Sequence, residues 1–285
     1  MAQEPGAAPT ASTASASAPD RSGSAAIRPL RPPSKMLLAL EGRAWIELAS
    51  LVPALPILRG ATPTGDGHPV VVLPGYLATD ASTVPLRWFL RDRGYPVCGW
   101  GLGRNFGPGD RVVKGLARLL DDVCDRHGAK ASLVGWSLGG IFARELARRR
   151  PEDVRQVITL ASPFRSLHAS NVPRLPRSGP PPALGEASEI ERRLGEPLPV
   201  PTTAIWSRSD GIVAGRSCVE HAGPQRESIE VETSHCGMGF HPAALLVIGD
   251  RLAQPEGEWR PFDCSRLARW PFRGWPRKRT RPPAT

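Results

Sequence analysis

The sequence predicts an α/β domain with a mainly parallel sheet flanked by helices, and three observations carry that expectation. Short apolar runs alternate with longer segments of helical periodicity between residues 68 and 253. The clearest run, Val70-Val71-Val72-Leu73, is continuous and β-branched, as in strands buried on both faces. A Gly-Trp-Ser-Leu-Gly sequence, residues 135–139, joins one such run to a helical stretch.

The flanking regions read differently. Residues 1–35 are rich in Ala, Ser and Pro without apolar periodicity, which is the composition of a disordered segment. The first twenty lack the basic-then-apolar pattern of a signal peptide. Residues 36–60 are expected to form an amphipathic helix packed on the domain. Glu41, Arg43 and Glu47 interrupt the apolar run and Pro53 and Pro56 close it, whereas a bilayer-spanning helix needs about 20 predominantly apolar residues. Lying at a membrane surface is the second reading of this helix.

The α/β domain is expected over residues 61–261. After the strand Val70–Leu73 comes a helix over 82–93, with Leu86, Phe89 and Leu90 on one face, and a strand over 95–100. A Gly-rich loop, 101–109, leads into the helix Asp110–His127. Next come a strand over 131–134, the helix Leu138–Arg149 and the strands Val154–Leu160 and Thr202–Trp206. A short strand over 229–231 and the helix Pro242–Leu252 close the domain, with Pro242 suited to a first helical position. Nine prolines fall between residues 162 and 201, around one candidate helix at 184–194. So long an irregular stretch, beginning at a strand's exit where α/β sheets bind ligands, reads as a cap or lid over a site. Residues 262–285 form a basic Pro/Arg-rich tail.

Charge and cysteine usage exclude several functions. The net charge of +10 suggests a polyanion partner, yet residues 36–265 hold 26 basic and 25 acidic side chains. The excess sits mainly in the tail, which reads as a solvated end, and no specific nucleic-acid partner is expected. Cys98, Cys124, Cys218, Cys236 and Cys264 stand singly, without C-x-x-C spacing, so neither a disulfide framework nor a metal site is expected. Reduced thiols point to a cytoplasmic location. Gly101-Leu102-Gly103 begins like a dinucleotide fingerprint but lacks the third glycine and a preceding βαβ unit, and no cofactor is expected.

The chemistry centres on Ser137. A sharp strand-to-helix reversal leaves the serine in a strained backbone conformation and demands small residues two before and two after it. Gly135 and Gly139 meet that demand, and Gly140 lets the helix approach the strand. A serine hydroxyl is a poor nucleophile at neutral pH, so it needs a base, and the base needs a carboxylate to fix its tautomer. Asp210 follows the strand Thr202–Trp206 and so exits at the same sheet edge; Glu186, Glu189 and Asp250 are weaker candidates. His235 lies between the last strand and the last helix, in the chain order Ser, Asp, His. His221 is the next candidate base, and His241 fits a helix N-cap. Two backbone N–H donors should face the developing oxyanion, worth about 3–4 kcal/mol each. Leu138, at the head of the helix, supplies one, and Tyr76, in Pro74-Gly75-Tyr76 after the first strand, supplies the other.

Taken together, Val-Val-Leu-Pro-Gly-Tyr, Gly-Trp-Ser-Leu-Gly-Gly, Ser-Arg-Ser-Asp-Gly-Ile-Val and Ser-His-Cys-Gly resemble the α/β-hydrolase superfamily, especially its compact lipase- and esterase-like members. The resemblance spans residues 68–253. It implies an α/β-hydrolase fold, with Ser137, Asp210 and His235 as nucleophile, acid and base and Tyr76 and Leu138 as oxyanion donors. Pro74-Gly75 stands where members usually carry His-Gly. The expected activity is cleavage of a small-molecule carboxylic ester with an apolar acyl group, and Trp88, Trp100, Trp136, Phe164 and Leu167 are candidate lining residues. An acyltransferase or thioesterase on the same fold stays open, as does a non-catalytic binding protein, and peripheral membrane contact is the further partner expectation.

Overall fold

The computed structural model describes residues 30–172 and 192–268. The expected disorder of 1–29, the candidate helix at 184–194 up to residue 191 and the tail beyond 268 lie outside these residues; residues 192–195, where that candidate ends, are helical, and the stretch expected to form a cap is described only at its two ends.

Six parallel strands form one sheet in the order β2-β1-β3-β4-β5-β6. They are β1 (Val70–Leu73), β2 (Val97–Gly99), β3 (Ala131–Trp136), β4 (Val154–Leu160), β5 (Thr202–Trp206) and β6 (Arg226–Glu230). Between them run α3 (Val84–Asp92), α4 (Asp110–His127) and α5 (Leu138–Arg149), and α6 (Pro242–Leu252) follows the sheet. Before it come the short α1 (Lys35–Ala39), a 3-10 turn and α2 (Ala44–Ala61).

Central strands are buried on both faces because each face carries helices. One core layer joins Leu51, Ala54 and Leu58 of α2 to Leu86, Phe89 and Leu90 of α3 and to the apolar residues of α6. The other joins Leu116, Leu120 and Val123 of α4 to Ile141, Phe142 and Leu146 of α5. Continuous burial along β1 and β3 explains why their sequences do not alternate.

Several boundaries differ from expectation for local reasons. The helix over 82–93 divides into a 3-10 turn, Asp80–Thr83, and α3, because Pro85 takes the start of the α-helix. The last strand runs Arg226–Glu230 rather than 229–231: only Ile229 is buried on this edge strand, so the apolar signal is weak over most of its length. Helix α2 continues through Pro53 and Pro56 to Ala61 instead of ending there. Each proline removes a hydrogen bond to the carbonyl four residues back, but Ala49 and Val52 are exposed, so water can satisfy the freed groups.

The N-terminal helices also invert the expected polarity. Lys35–Ala61 is long and apolar enough to cross a membrane by length and composition, yet its central charged residues turn inward onto the domain. Glu47 is buried with Leu51, Ala54 and Leu58, while Trp45, Ile46 and Val52 face outward. Burying each of those leucines contributes roughly 1.5–3 kcal/mol, enough to hold α2 against α6.

Candidate active site

The strand order positions the site. The chain passes from β1 outward to β2, then returns to β3 on the other side of β1, so the direction of winding reverses between β1 and β3. Clefts in α/β sheets open at such a switch point, beyond the carboxyl ends of the strands. Leu73 of β1 stands opposite Gly135 of β3, which sets Pro74-Gly75-Tyr76 beside Trp136-Ser137.

Ser137 occupies the reversal with φ 52° and ψ −118°, a conformation that costs a non-glycine residue of order 1–3 kcal/mol. Its N–H donates to Leu160 O at 2.7 Å, and its carbonyl accepts from Gly140 N–H at 3.0 Å. A Cβ on Gly135 would strike the backbone of Gly139 and Gly140, and one on Gly139 would strike Leu73 O. Both glycines are therefore fixed by contact. Leu77 after β1 and Ala161 after β4 also have positive φ, so backbone strain gathers at this edge.

Asp210 and His235 meet. His235 Nδ1 lies 2.8 Å from Asp210 Oδ2, and the Asp210 side chain is fully buried. The other oxygen, Oδ1, accepts Ile212 N–H and Val213 N–H, each at 2.8 Å. With Nδ1 donating to the carboxylate, Nε2 of His235 is left to accept a proton. Burial works against the imidazolium, but the charge and hydrogen bond of Asp210 and the Glu41 carboxylate outweigh it, so the pKa of His235 is raised. Trp136 ties this loop to the elbow by donating its indole N–H to His235 O at 3.1 Å. Ser137 Oγ itself makes no hydrogen bond among the described residues. Such contacts are often long until substrate binds.

The two expected donor positions flank Ser137. Leu138 heads α5, where an N–H has no carbonyl four residues back within the helix. Tyr76 N–H takes no part in the bonds of its turn, in which Leu77 N–H donates to Asn105 O and Ala78 N–H to Gly75 O. A Cβ on Gly75 would sit 3.3 Å from Ser137 Cβ, so glycine here allows close approach.

The five candidate lining residues do not form one wall. Trp136 packs edge-on to Phe240 in the core on one face of the sheet, while Trp100, Phe164 and Leu167 belong to the other. Trp100 donates its N–H to Gly103 O at 2.8 Å, and Arg144 stacks on Phe164 at 4.0 Å. Trp88 lies under Arg59 at 5.9 Å, on the outer side of α3. Trp100, Trp136 and Phe164 belong to the core, whereas Trp88 is exposed. His241 caps α6, its Nδ1 accepting Ala243 N–H at 3.2 Å.

Sequence reasoning missed three supporting residues. Asn105, fully buried, donates to Pro74 O at 2.9 Å and its carbonyl oxygen accepts Gly107 N–H at 3.1 Å, bracing the loop before Tyr76. The Gly-rich stretch that began like a nucleotide fingerprint is the approach to this brace. Glu41 and Glu47 bind the loops of Asp210 and His235. Their signal was present as charges inside an apolar helix. Cys236, next to His235, is exposed at its surface, yet local desolvation and then the nearby Glu41 charge push its thiol up to about 12, which disfavours the thiolate.

No family model matches the chain. The pimeloyl-[acyl-carrier protein] methyl ester esterase of Shewanella woodyi is 34% identical over 98 residues, covering 34% of this chain and 37% of its own length. A homoserine O-acetyltransferase of Thermus thermophilus is 39% identical over 71 residues, 25% of this chain and 18% of that protein. The chain thus spans well under half the length of these curated relatives. The crystal structure of Aspergillus fumigatus lipase B superposes with a TM-score of 0.54 at 18% identity, covering 74% of this chain and 59% of that one. The chain has the α/β-hydrolase fold.

Proposed function

We propose that this protein is a serine hydrolase that cleaves a carboxylic ester through an acyl-enzyme on Ser137. The observation that carries the proposal is the buried Asp210–His235 pair at 2.8 Å, set on the same sheet edge as a serine held at positive φ. Ser137 Oγ attacks the ester carbonyl while His235 Nε2 takes its proton. Asp210 holds the tautomer and stabilises the imidazolium. The oxyanion is received by Tyr76 and Leu138 N–H groups. The tetrahedral intermediate expels the alcohol, which His235 protonates, and a water activated by His235 releases the acid. An apolar acyl group is the substrate class we infer. A fluorophosphonate probe tests the nucleophile directly: the wild type is expected to be labelled and Ser137→Ala is not. Labelling that persists in the variant removes the assignment. Transfer to an alcohol in place of water is the second reading, favoured by the likeness to an acetyltransferase, and product analysis with and without an alcohol acceptor separates the two.

A peripheral, cytoplasmic location belongs to the same proposal. Cys98, Cys124, Cys218 and Cys236 form no disulfide. Met36, Trp45, Ile46 and Val52 are 71–78% exposed, and the exposed charged side chains between residues 31 and 60 are Arg31, Lys35 and Arg59, all basic. An apolar face edged by cations suits an anionic lipid surface. The protein should sediment with phosphatidylglycerol-containing vesicles, and Trp45→Ser with Ile46→Ser should lower that binding about tenfold or more. Wild-type protein left in the supernatant at every lipid composition would sink this location.

A further inference from the structure

The acid and the base stand on separate loops, 25 residues apart in the chain, and one N-terminal carboxylate grips both. Glu41 Oε1 accepts Gly211 N–H at 2.7 Å and His235 N–H at 3.0 Å, while Oε2 accepts Cys236 N–H at 2.9 Å. Six residues later, Glu47 accepts Ser234 N–H at 2.9 Å and the hydroxyls of Ser234 and Thr233. Arg43 closes the array. It pairs with Glu47 at 3.2 Å and donates to Ser209 O at 2.8 Å and Ser209 Oγ at 2.9 Å. Residues 209, 211, 233, 234, 235 and 236 are thus held by three side chains of the N-terminal segment.

The packing leaves no slack. A Cβ on Gly211 would strike the backbone of Leu37 and Leu38, and one on Gly237 would strike Glu47. Asn171 reinforces the join, donating to Pro33 O at 3.1 Å and Gly211 O at 2.8 Å.

We infer that the N-terminal helical segment is part of the catalytic apparatus, with Glu41 and Glu47 as positioning residues that lock the Asp210 and His235 loops to each other. The inference rests on the triad reading proposed above. Its physical basis is that three N–H donors from two loops converge on one carboxylate. This adds an ionised clamp to the direct links between the loops, where Ser207 Oγ donates to Thr233 O at 2.7 Å and Ser209 Oγ to the same carbonyl at 3.2 Å. Hydrogen bonds to an ionised acceptor are short and directional, and a displacement of about 1 Å in a catalytic array costs on the order of 10²-fold in rate.

Charge gives the clamp a signature that a purely structural brace would lack. The groups facing His235 are Asp210 on its own side of the sheet edge, Glu41 from the N-terminal segment and the neighbouring Cys236, with the Glu47–Arg43 pair one residue away. Glu41 helps raise the His235 pKa. The base works as neutral imidazole, so activity falls as pH drops through that pKa. Removing the Glu41 charge lowers the pKa and should move the acid limb to lower pH.

The test is the rate at which a fluorophosphonate labels full-length protein, followed against pH, with circular dichroism and thermal melting as folding controls. Glu41→Ala is expected to slow labelling about 10²-fold. Glu41→Gln, which keeps one acceptor oxygen, should recover part of that rate while shifting the acid limb downward. Glu47→Gln should slow labelling with a smaller shift, its charge being further from the imidazole. Glu152→Gln, an exposed carboxylate ahead of β4 paired with Arg150, should change neither rate nor limb. Folded Glu41 variants with the wild-type rate and an unmoved limb would overturn the clamp. Should Glu41→Ala not fold, Glu41→Gln decides alone, a shifted limb supporting the clamp and an unmoved one overturning it. Ser137→Ala runs alongside: if labelling survives there, the triad reading falls first, and if it is abolished there but indifferent to Glu41, only the clamp falls.

Discussion

Two Asp–His–Ser arrays lie on this sheet, at opposite ends of β3, and the better-connected one is not the one proposed for catalysis. At the amino end, His68 Nε2 is 2.7 Å from Ser132 Oγ and its Nδ1 bonds Asp66. At the carboxyl end, His235 bonds Asp210, while Ser137 Oγ makes no hydrogen bond among the described residues. Ser132 is fully buried inside the strand, and its N–H donates to Pro69 O at 2.9 Å. No substrate can reach it. Ser137 instead ends the strand at positive φ, faces two prospective oxyanion donors and stands where the sheet's winding reverses. The proposed nucleophile is set apart by its strained turn and its place at the switch point, not by connectivity.

The electrostatics of the two histidines run opposite ways. Burial dominates at His68, with Arg155 adding to it, so its pKa is lowered despite the Asp66 hydrogen bond. Asp66 itself is held at about 2: its burial raises the pKa, but hydrogen bonds from His68 and Arg155 outweigh that. Arg155 lies 2.7 Å from Asp66 and so competes for the carboxylate that would otherwise support His68. At His235 burial also lowers the pKa, but the Asp210 and Glu41 carboxylates tip the balance upward. A base that must hold a proton during the reaction needs the second environment; a structural hydrogen-bond relay is served by the first.

The largest effect that could break this contrast is on the two aspartates. Asp210→Asn is expected to lose on the order of 10⁴-fold in labelling and hydrolysis rate, because the amide favours the wrong imidazole tautomer. Asp66→Asn, the same chemical change in the other array, should leave both rates within about twofold, since no reacting group depends on it. Stopped-flow or fixed-time labelling of the two variants in parallel checks this. Equal losses would mean that the amino-end array is tied to the chemistry after all.

The contrast also explains what the sequence could and could not disclose. The elbow was legible because its glycines are demanded by backbone contact, and the fold because continuous apolar runs alternate with helical periods. That Asp210 and His235 meet was legible from chain order and from their places just beyond strand ends. The amino-end array was not: His68 sits two residues before β1, and nothing local says that it will meet Ser132, 64 residues on. Glu41 and Glu47 were visible as charges within an apolar helix, but the direction they face depends on which loops pack against that helix. The aromatic residues are poor guides to a pocket for the complementary reason. Trp100 and Phe164 satisfy the core so well that proximity in sequence to the motifs carries no information about access.

A smaller effect sharpens the assignment of the amino-end array as structural. Ser132→Ala removes the hydroxyl that His68 Nε2 faces while leaving Asp66 in place. The neutral imidazole then has a buried nitrogen without a partner, which costs roughly 1–3 kcal/mol. For a domain of this size that is a fall of about 2–4 °C in melting temperature per kcal/mol. The lowered pKa of His68 adds a pH dependence common to wild type and variant. Because the folded protein holds this histidine neutral, its contribution is present above the ordinary histidine pKa of about 6.5 and is lost as pH falls from there toward the depressed folded value. Thermal melts at neutral pH should therefore show the Ser132→Ala deficit with fluorophosphonate labelling unchanged. A variant that melts like wild type but labels tenfold more slowly would reverse the roles given to the two ends of β3.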